Sequence, residues 1–291
     1  MTSLGTVAVL GAGTMGHGIA QVFAAAGASV RLYDVDLARV EQGRAMIRAG
    51  LDKVAAKGKI SAADVARITS AISPFEDLAA AVAGASLVIE AVPESMELKV
   101  KLLRGVVGHA PSDAILGSNT SSLSITELGA RIGAADRTLG LHFFNPPPVM
   151  ELLEIVRGVS TRDETLARAQ EIAKAIGKTT IVVNDAPGFA TSRLGVVIGA
   201  EAMRMLESGV ASAGDIDRAM ELGYRHPMGP LKLTDLVGLD VRLSILEHLH
   251  REIGEQFRPP MILRRLVRAG HLGKKSGRGF YVWGEGGAKE I

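Results

Sequence analysis

Gly11-Ala12-Gly13-Thr14-Met15-Gly16 follows directly on the apolar run Val7-Ala8-Val9-Leu10, and Asp34 closes a second such run eighteen residues beyond Gly16. The order is that of a strand, a glycine turn, a helix over residues 14–26 and a second strand ending in a carboxylate. Each glycine has a separate task at a pyrophosphate. Gly11 permits the tight turn, Gly13 lets phosphate approach the backbone, and Gly16 lets the helix pack closely on the strand. Ala12, Thr14 and Met15 complete the turn and open the helix, whose first amides face the phosphates. Asp34 accepts hydrogen bonds from the adenosine ribose and repels the 2′-phosphate of NADP. A GxGxxG alone carries little weight. In this setting it is read as a site for NAD.

The strand–helix alternation continues. Apolar runs at 86–90, 114–117, 138–141, 152–156 and 179–183 read as strands, with helical patterns at 37–59 and 94–108. Such alternation predicts a largely parallel sheet with helices on both faces. Ala186-Pro187-Gly188 breaks the pattern. Beyond it, helical spacing dominates at 189–208, 212–222, 236–253 and 260–269. The fold class expected is α/β, a Rossmann-like dinucleotide-binding domain over residues 1–184 followed by an all-α C-terminal domain over 185–291. Three of the eleven aromatic residues fall in Gly279-Phe280-Tyr281-Val282-Trp283, so this tail is expected to dock on the body.

Composition narrows the function. A net charge of +2 argues against an extended nucleic-acid surface. Without cysteine there is no disulfide, no cysteine zinc site and no thiol catalysis, and the histidines show no metal-ligand spacing. No uncharged apolar run reaches the ~18 residues of a membrane helix. No leader is visible ahead of the first strand, and the expectation is a cytoplasmic protein.

In an open α/β sheet ligands bind beyond the carboxyl ends of the strands. His142 follows the apolar run ending at Leu141, and the prolines 146–148 fix the backbone after it. Asn145 stands where a carboxamide can meet nicotinamide or substrate. Glu154 lies inside the apolar run 152–156, and a carboxylate there is costly unless paired. His142 is the economical partner, and the pair makes a general base. A purely structural His–Glu hydrogen bond is the alternative. On the residues alone, the hydroxyls of Ser118–Ser122 read better as caps for a helix starting near Ser124 than as substrate ligands. Glu94 reads as an acid at a helix N-terminus and Lys99 as a solvated lysine. The lysines 53, 57 and 59 read as a solvated face, and Lys275 as a basic residue in a glycine-rich loop.

Taken together, GAGTMGHGIAQVFAAAG, YDVD, VIEAVPESMELKVKLL, SNTSSLSIT, GLHFFNPPPVMELLEIV, NDAPGFATSRL, LGYRHPMGPLKLTDLVGLDV and LGKKSGRGFYVW resemble the 3-hydroxyacyl-CoA dehydrogenases, over essentially the whole chain. The resemblance is to the monofunctional branch that includes 3-hydroxybutyryl-CoA dehydrogenases. It implies NAD-linked, reversible oxidation of (S)-3-hydroxyacyl-CoA to 3-oxoacyl-CoA, with an acyl-CoA as partner and a homodimer formed through the C-terminal domain. His142 corresponds to the catalytic histidine and Glu154 to its carboxylate. Ser121 corresponds to the serine contacting substrate and cofactor, which replaces the capping reading. Asn145, Glu94, Lys99 and Lys275 correspond to cofactor-contacting positions, and Lys57 falls near a lysine holding the CoA phosphates.

One position departs from the family. Ser192 stands before Arg193 where well-known members carry asparagine. Serine is shorter by an amide group, which bears on substrate positioning and chain-length preference. Rival readings are a dehydrogenase of a free β-hydroxyacid and a noncatalytic, crystallin-like NAD-binding protein.

Overall fold

The computed structural model describes residues 4–290. The chain divides into two compact units, the first ending at Ala186 and the second beginning at Pro187. This division falls two residues beyond the expected boundary.

The first unit runs β1 (Thr6–Leu10), α1 (Thr14–Ala25), β2 (Ser29–Tyr33), α2 (Leu37–Ala56), α3 (Ala62–Ser70), β3 (Ile72–Phe75), α4 (Leu78–Val82), β4 (Leu87–Glu90), α5 (Met96–Val107), β5 (Ile115–Ser118), α6 (Ile125–Ile132), β6 (Thr138–Phe143), β7 (Leu152–Arg157), α7 (Asp163–Ala175) and β8 (Thr179–Asn184). The strands form one sheet in the order β3-β2-β1-β4-β5-β6-β7-β8. All neighbours are parallel except β6 and β7.

Side chains alternate across a strand, and here both faces are covered. Val7 and Val9 of β1 join one apolar cluster, with Ile19, Phe23 and Ile47 of α1 and α2. Ala8 and Leu10 join the other, with Val100, Leu103 and Leu128 of α5 and α6. Such a doubly covered sheet explains why these strands read as unbroken apolar runs. β3, α3, α4 and α7 are additions to the sequence reading. Pro74 interrupts β3, which the sheet tolerates because β3 is an edge strand.

The second unit is helical: α8 (Thr191–Glu207), α9 (Ala213–Arg218), α10 (Pro230–Val237), α11 (Leu239–Glu252) and α12 (Met261–Arg268). Ser212 caps α9 through the Asp215 amide, and a π-turn at Ala219–Gly223 follows. Of the segment read as one helix at 236–253, α11 takes 239–252, while Leu236 and Val237 close α10, a helix absent from the sequence reading. Gly238, at a positive φ of 108°, separates the two. The tail adds a hairpin, β9 (Tyr281–Gly284) and β10 (Gly287–Glu290). It docks as its aromatic content requires. Asp235 accepts the Phe280 and Tyr281 amides and Trp283 Nε1, and Asp217 accepts the Tyr281 hydroxyl at 2.7 Å. Among the described residues no helix is long and apolar enough to cross a membrane.

Candidate active site

The glycine turn leaves β1 with Gly11 at φ 99°. Its amide bonds to the Tyr33 carbonyl at 2.7 Å, tying β1 to β2 at the turn. A side chain on Gly16 would overlap the Gly11 carbonyl oxygen, so α1 can approach only with glycine there. Gly13 is different, since a side chain there would meet nothing within 4 Å. Its bareness serves something other than the fold, which fits the approach of a pyrophosphate. Gly13 caps α1 without a side-chain hydrogen bond, and no acid occupies the helix's first turn. Asp34 is half-buried and accepts the Ala12 and Val35 amides, each at 2.9 Å. A carboxylate has about four acceptor positions, so the two amides leave it capacity for further hydroxyl donors.

The ends of β4 and β5 lie in register, with Glu90 opposite Ser118. Glu90 is 0% exposed and Lys99, from α5, is 1% exposed. The ammonium lies 2.9 and 2.8 Å from the two Glu90 oxygens, 3.2 Å from the Val92 carbonyl and 3.4 Å from Glu94. Lys99 is therefore not the solvated lysine that its residue context alone implied. Burial pushes the Glu90 carboxyl up, against the pull of Lys99 and of the Ser118 hydroxyl. Glu94 accepts the Thr120 and Ser122 hydroxyls and the Ser121 amide. Burial raises its pKa too, but Lys99 and these donors outweigh it and hold the carboxyl below its ordinary value. The hydroxyl-rich loop after β5 is thus gripped by an acid. Ser124 caps α6, accepting the Glu127 amide, and the Ser121 hydroxyl takes no part in that cap.

β6 carries His142 and β7 carries Glu154. Their antiparallel register sets the two residues opposite each other, and His142 Nδ1 lies 2.8 Å from Glu154 Oε2. His142 is 7% exposed and Glu154 0%. Nδ1 held by the carboxylate makes Nε2 the basic nitrogen of the neutral ring. Asn119 accepts the Phe143 amide at 2.9 Å, joining the loop of Ser121 to the strand of His142. The proline loop is fastened as well. Pro147 packs where a side chain on Gly18 would lie, and Lys178 donates to the Pro147 and Met150 carbonyls.

The remaining expected residues are placed as follows. Asn145 is exposed in the loop after β6, and Lys57 is exposed at the C-cap of α2. In the second unit Lys275 is half-exposed and pairs with Asp240, with Nζ 2.6 Å from Oδ1. Ser192 is the second residue of α8 and half-buried. No group of three metal-ligating side chains is found among the described residues. The sequence reading gave Glu90 no role and took Ser118 and Thr120 only as capping hydroxyls, although all three lie at or just after strand ends.

A largely parallel sheet with a dinucleotide turn after β1, an acid closing β2 and a buried imidazole–carboxylate pair across β6 and β7 defines a pyridine-nucleotide dehydrogenase. The profile for "3-hydroxyacyl-CoA dehydrogenase, NAD binding domain" matches residues 6–186, and that for the "C-terminal domain" matches residues 188–283. The chain belongs to the 3-hydroxyacyl-CoA dehydrogenase family. It is 44% identical to a probable 3-hydroxybutyryl-CoA dehydrogenase of Bacillus subtilis, covering 96% of this chain and 97% of that one. The crystal structure of (S)-3-hydroxybutyryl-CoA dehydrogenase from Ralstonia eutropha superimposes with a TM-score of 0.93 at 43% identity, covering 97% of this chain and all of the other. A 3-hydroxyadipyl-CoA dehydrogenase of Escherichia coli is 40% identical over 97% of this chain and 60% of its own length.

Proposed function

We propose that the chain interconverts (S)-3-hydroxyacyl-CoA and 3-oxoacyl-CoA, 3-hydroxybutyryl-CoA included, with His142 as the general base. The observation that carries this reading is the buried His142–Glu154 pair, with His142 next to the carboxyl-terminal residue of β6 and Glu154 opposite it on β7. Bound NAD supplies the hydride acceptor. Residues 11–16, Asp34 and Glu94 hold it, with Asn145 and Lys275 completing the contacts. Lys99 acts through Glu94 and the Val92 carbonyl, since those two and Glu90 take its ammonium. His142 Nε2 takes the 3-hydroxyl proton, Glu154 stabilises the imidazolium, and the Ser121 hydroxyl holds the reacting oxygen. Ser192 contacts the acyl portion, and Lys57 meets the CoA phosphates.

Oxidation of NADH by acetoacetyl-CoA beside free acetoacetate tests the substrate class. Turnover on the thioester alone is expected. Turnover on the free acid would move the enzyme to the β-hydroxyacid dehydrogenases, and none on either would leave a noncatalytic NAD-binding protein.

The cofactor preference follows from Asp34. Arg31, a neighbour that could have received a 2′-phosphate, is committed elsewhere. Its Nη1 donates to the Ala80 and Ala83 carbonyls, and the guanidinium lies 5.5 Å from the Phe75 ring centre. NADH is therefore favoured over NADPH. Asp34→Ala narrows that preference by roughly tenfold, equivalent to ~1.4 kcal/mol of relieved repulsion. An unchanged ratio of kcat/KM values would remove Asp34 from the ribose site.

A homodimer through the second unit, in the cytoplasm, belongs to the same reading. The exposed Leu194, Leu222, Tyr224 and Val241 of that unit support the dimer. Light scattering is expected to give twice the 30.5 kDa chain mass, and a single chain mass would refute it.

A further inference from the structure

The stripe of α11 that faces the second unit's core reads Leu239, Arg242, Leu246, Leu249, so a guanidinium occupies a core position. Leu249 lies where a side chain on Gly188 would, and Arg242, seven residues back, lies where one on Gly195 would. α11 thus runs back along the start of α8, with Arg242 Nη1 3.1 Å from the position of a Gly195 Cβ. Arg242 is 6% exposed, and its Nε is buried with no hydrogen-bond partner. Asp240, the acid nearest to it in sequence, is turned to Lys275. Burial, with no opposing carboxylate, pulls the Arg242 pKa down to about 10, which still leaves it charged at neutral pH.

A buried cation without a counter-ion costs several kcal/mol, and a methionine or leucine would fill the position more stably. Its natural complement is an anion that the chain does not provide. Gly195 lets the guanidinium pack directly against α8, where any side chain would crowd it. Ser192 lies one turn earlier on the same face of α8, about 4.5 Å along the helix axis. Resting on the proposed reading that Ser192 contacts the acyl portion, we propose that Arg242 binds a carboxylate at the far end of the acyl chain. The substrate class is then the 3-hydroxyacyl-CoA of a dicarboxylic acid. A carboxyl three carbons past C3 spans a distance similar to that helical turn. The CoA phosphates are a poorer candidate, since they sit a pantetheine arm away from the thioester.

The test is binding first, without turnover. Adipyl-CoA and hexanoyl-CoA differ by the terminal carboxylate and lack a 3-oxo group. Adipyl-CoA is expected to bind the wild-type protein ~10–100-fold more tightly, the worth of a charge-assisted hydrogen bond. Arg242→Met is expected to abolish the difference and to melt no lower than the wild type. Equal affinities in the wild type, or a preference that survives in Arg242→Met, would overturn the proposal. So would equal weakening of both ligands in the variant. The same pair as N-acetylcysteamine thioesters separates the anions: a preference that persists assigns the acyl carboxylate, and an Arg242 dependence seen only with CoA assigns a phosphate and overturns it. Turnover of 3-oxoadipyl-CoA and 3-oxohexanoyl-CoA then tests the dehydrogenase reading separately, because absence of both leaves the binding result intact.

Discussion

His142→Gln is expected to lower kcat by ~10²–10⁴-fold, the range typical of a lost general base. NADH affinity is expected to stay within a few-fold of the wild type. The dinucleotide turn lies at the ends of β1 and β2, where the Tyr33 carbonyl and the Asp34 carboxylate accept its amides. Glutamine keeps a polar group opposite Glu154, so the strand pair stays satisfied while the proton acceptor is lost. Glu154→Gln tests the partner. It keeps a hydrogen-bonding group for Nδ1 but removes the charge that stabilises the imidazolium, so kcat falls while the fold is kept. A structural hydrogen bond between β6 and β7 gives the opposite pattern: both variants melt early, and turnover per folded molecule is unchanged. Full turnover in His142→Gln would end the assignment.

Lys99→Met is expected to destabilise the first unit by ~3–5 kcal/mol, the cost of leaving one partner of a buried ion pair uncompensated. Glu90, at 0% exposure, would be left without the ammonium that now contacts both its oxygens. The sign of the pH dependence follows. Burial already raises the Glu90 pKa, and removing Lys99 raises it further. A carboxyl whose folded pKa lies above its unfolded value of ~4.3 stabilises the fold below that value and loses the contribution as pH rises through the folded pKa. The variant's deficit is therefore smallest in acid and grows toward neutrality. Glu90→Gln combined with Lys99→Met removes both charges and recovers much of the stability. Because Lys99 also holds Glu94 and the Val92 carbonyl, the single variant should bind NADH more weakly as well. Denaturant unfolding across pH checks the claim, and a deficit below 1 kcal/mol at neutral pH would contradict it.

Much of this was legible because the chemistry sits where periodicity breaks. Glu154 stands out as a carboxylate inside an apolar run, and a strand alternating across the sheet leaves it few partners other than a neighbouring strand's histidine. The glycine turn stands out because its three glycines fall between two apolar runs. The antiparallel pairing of β6 and β7 was not legible, since both strands are buried and read alike in either direction. Lys99 was misread for a related reason. Its partner Glu90 becomes a buried acid only when β4 lies between β1 and β5, and strand order is not written in local sequence. β3 was hidden by Pro74, and the single helix expected at 236–253 concealed Gly238 as its break. Arg242 had no signal of its own in the sequence, and only the register of α11 against Gly195 places it in the core.

The most direct test of the central claim follows the hydride itself. The protein is given acetoacetyl-CoA and NADH carrying deuterium at both C4 positions, and the 3-hydroxybutyryl-CoA formed is weighed by mass spectrometry. One deuterium bound to C3, with none acquired at that carbon from D2O when unlabelled NADH is used, is the predicted result. Unlabelled product from deuterated NADH, or no product, would contradict the account.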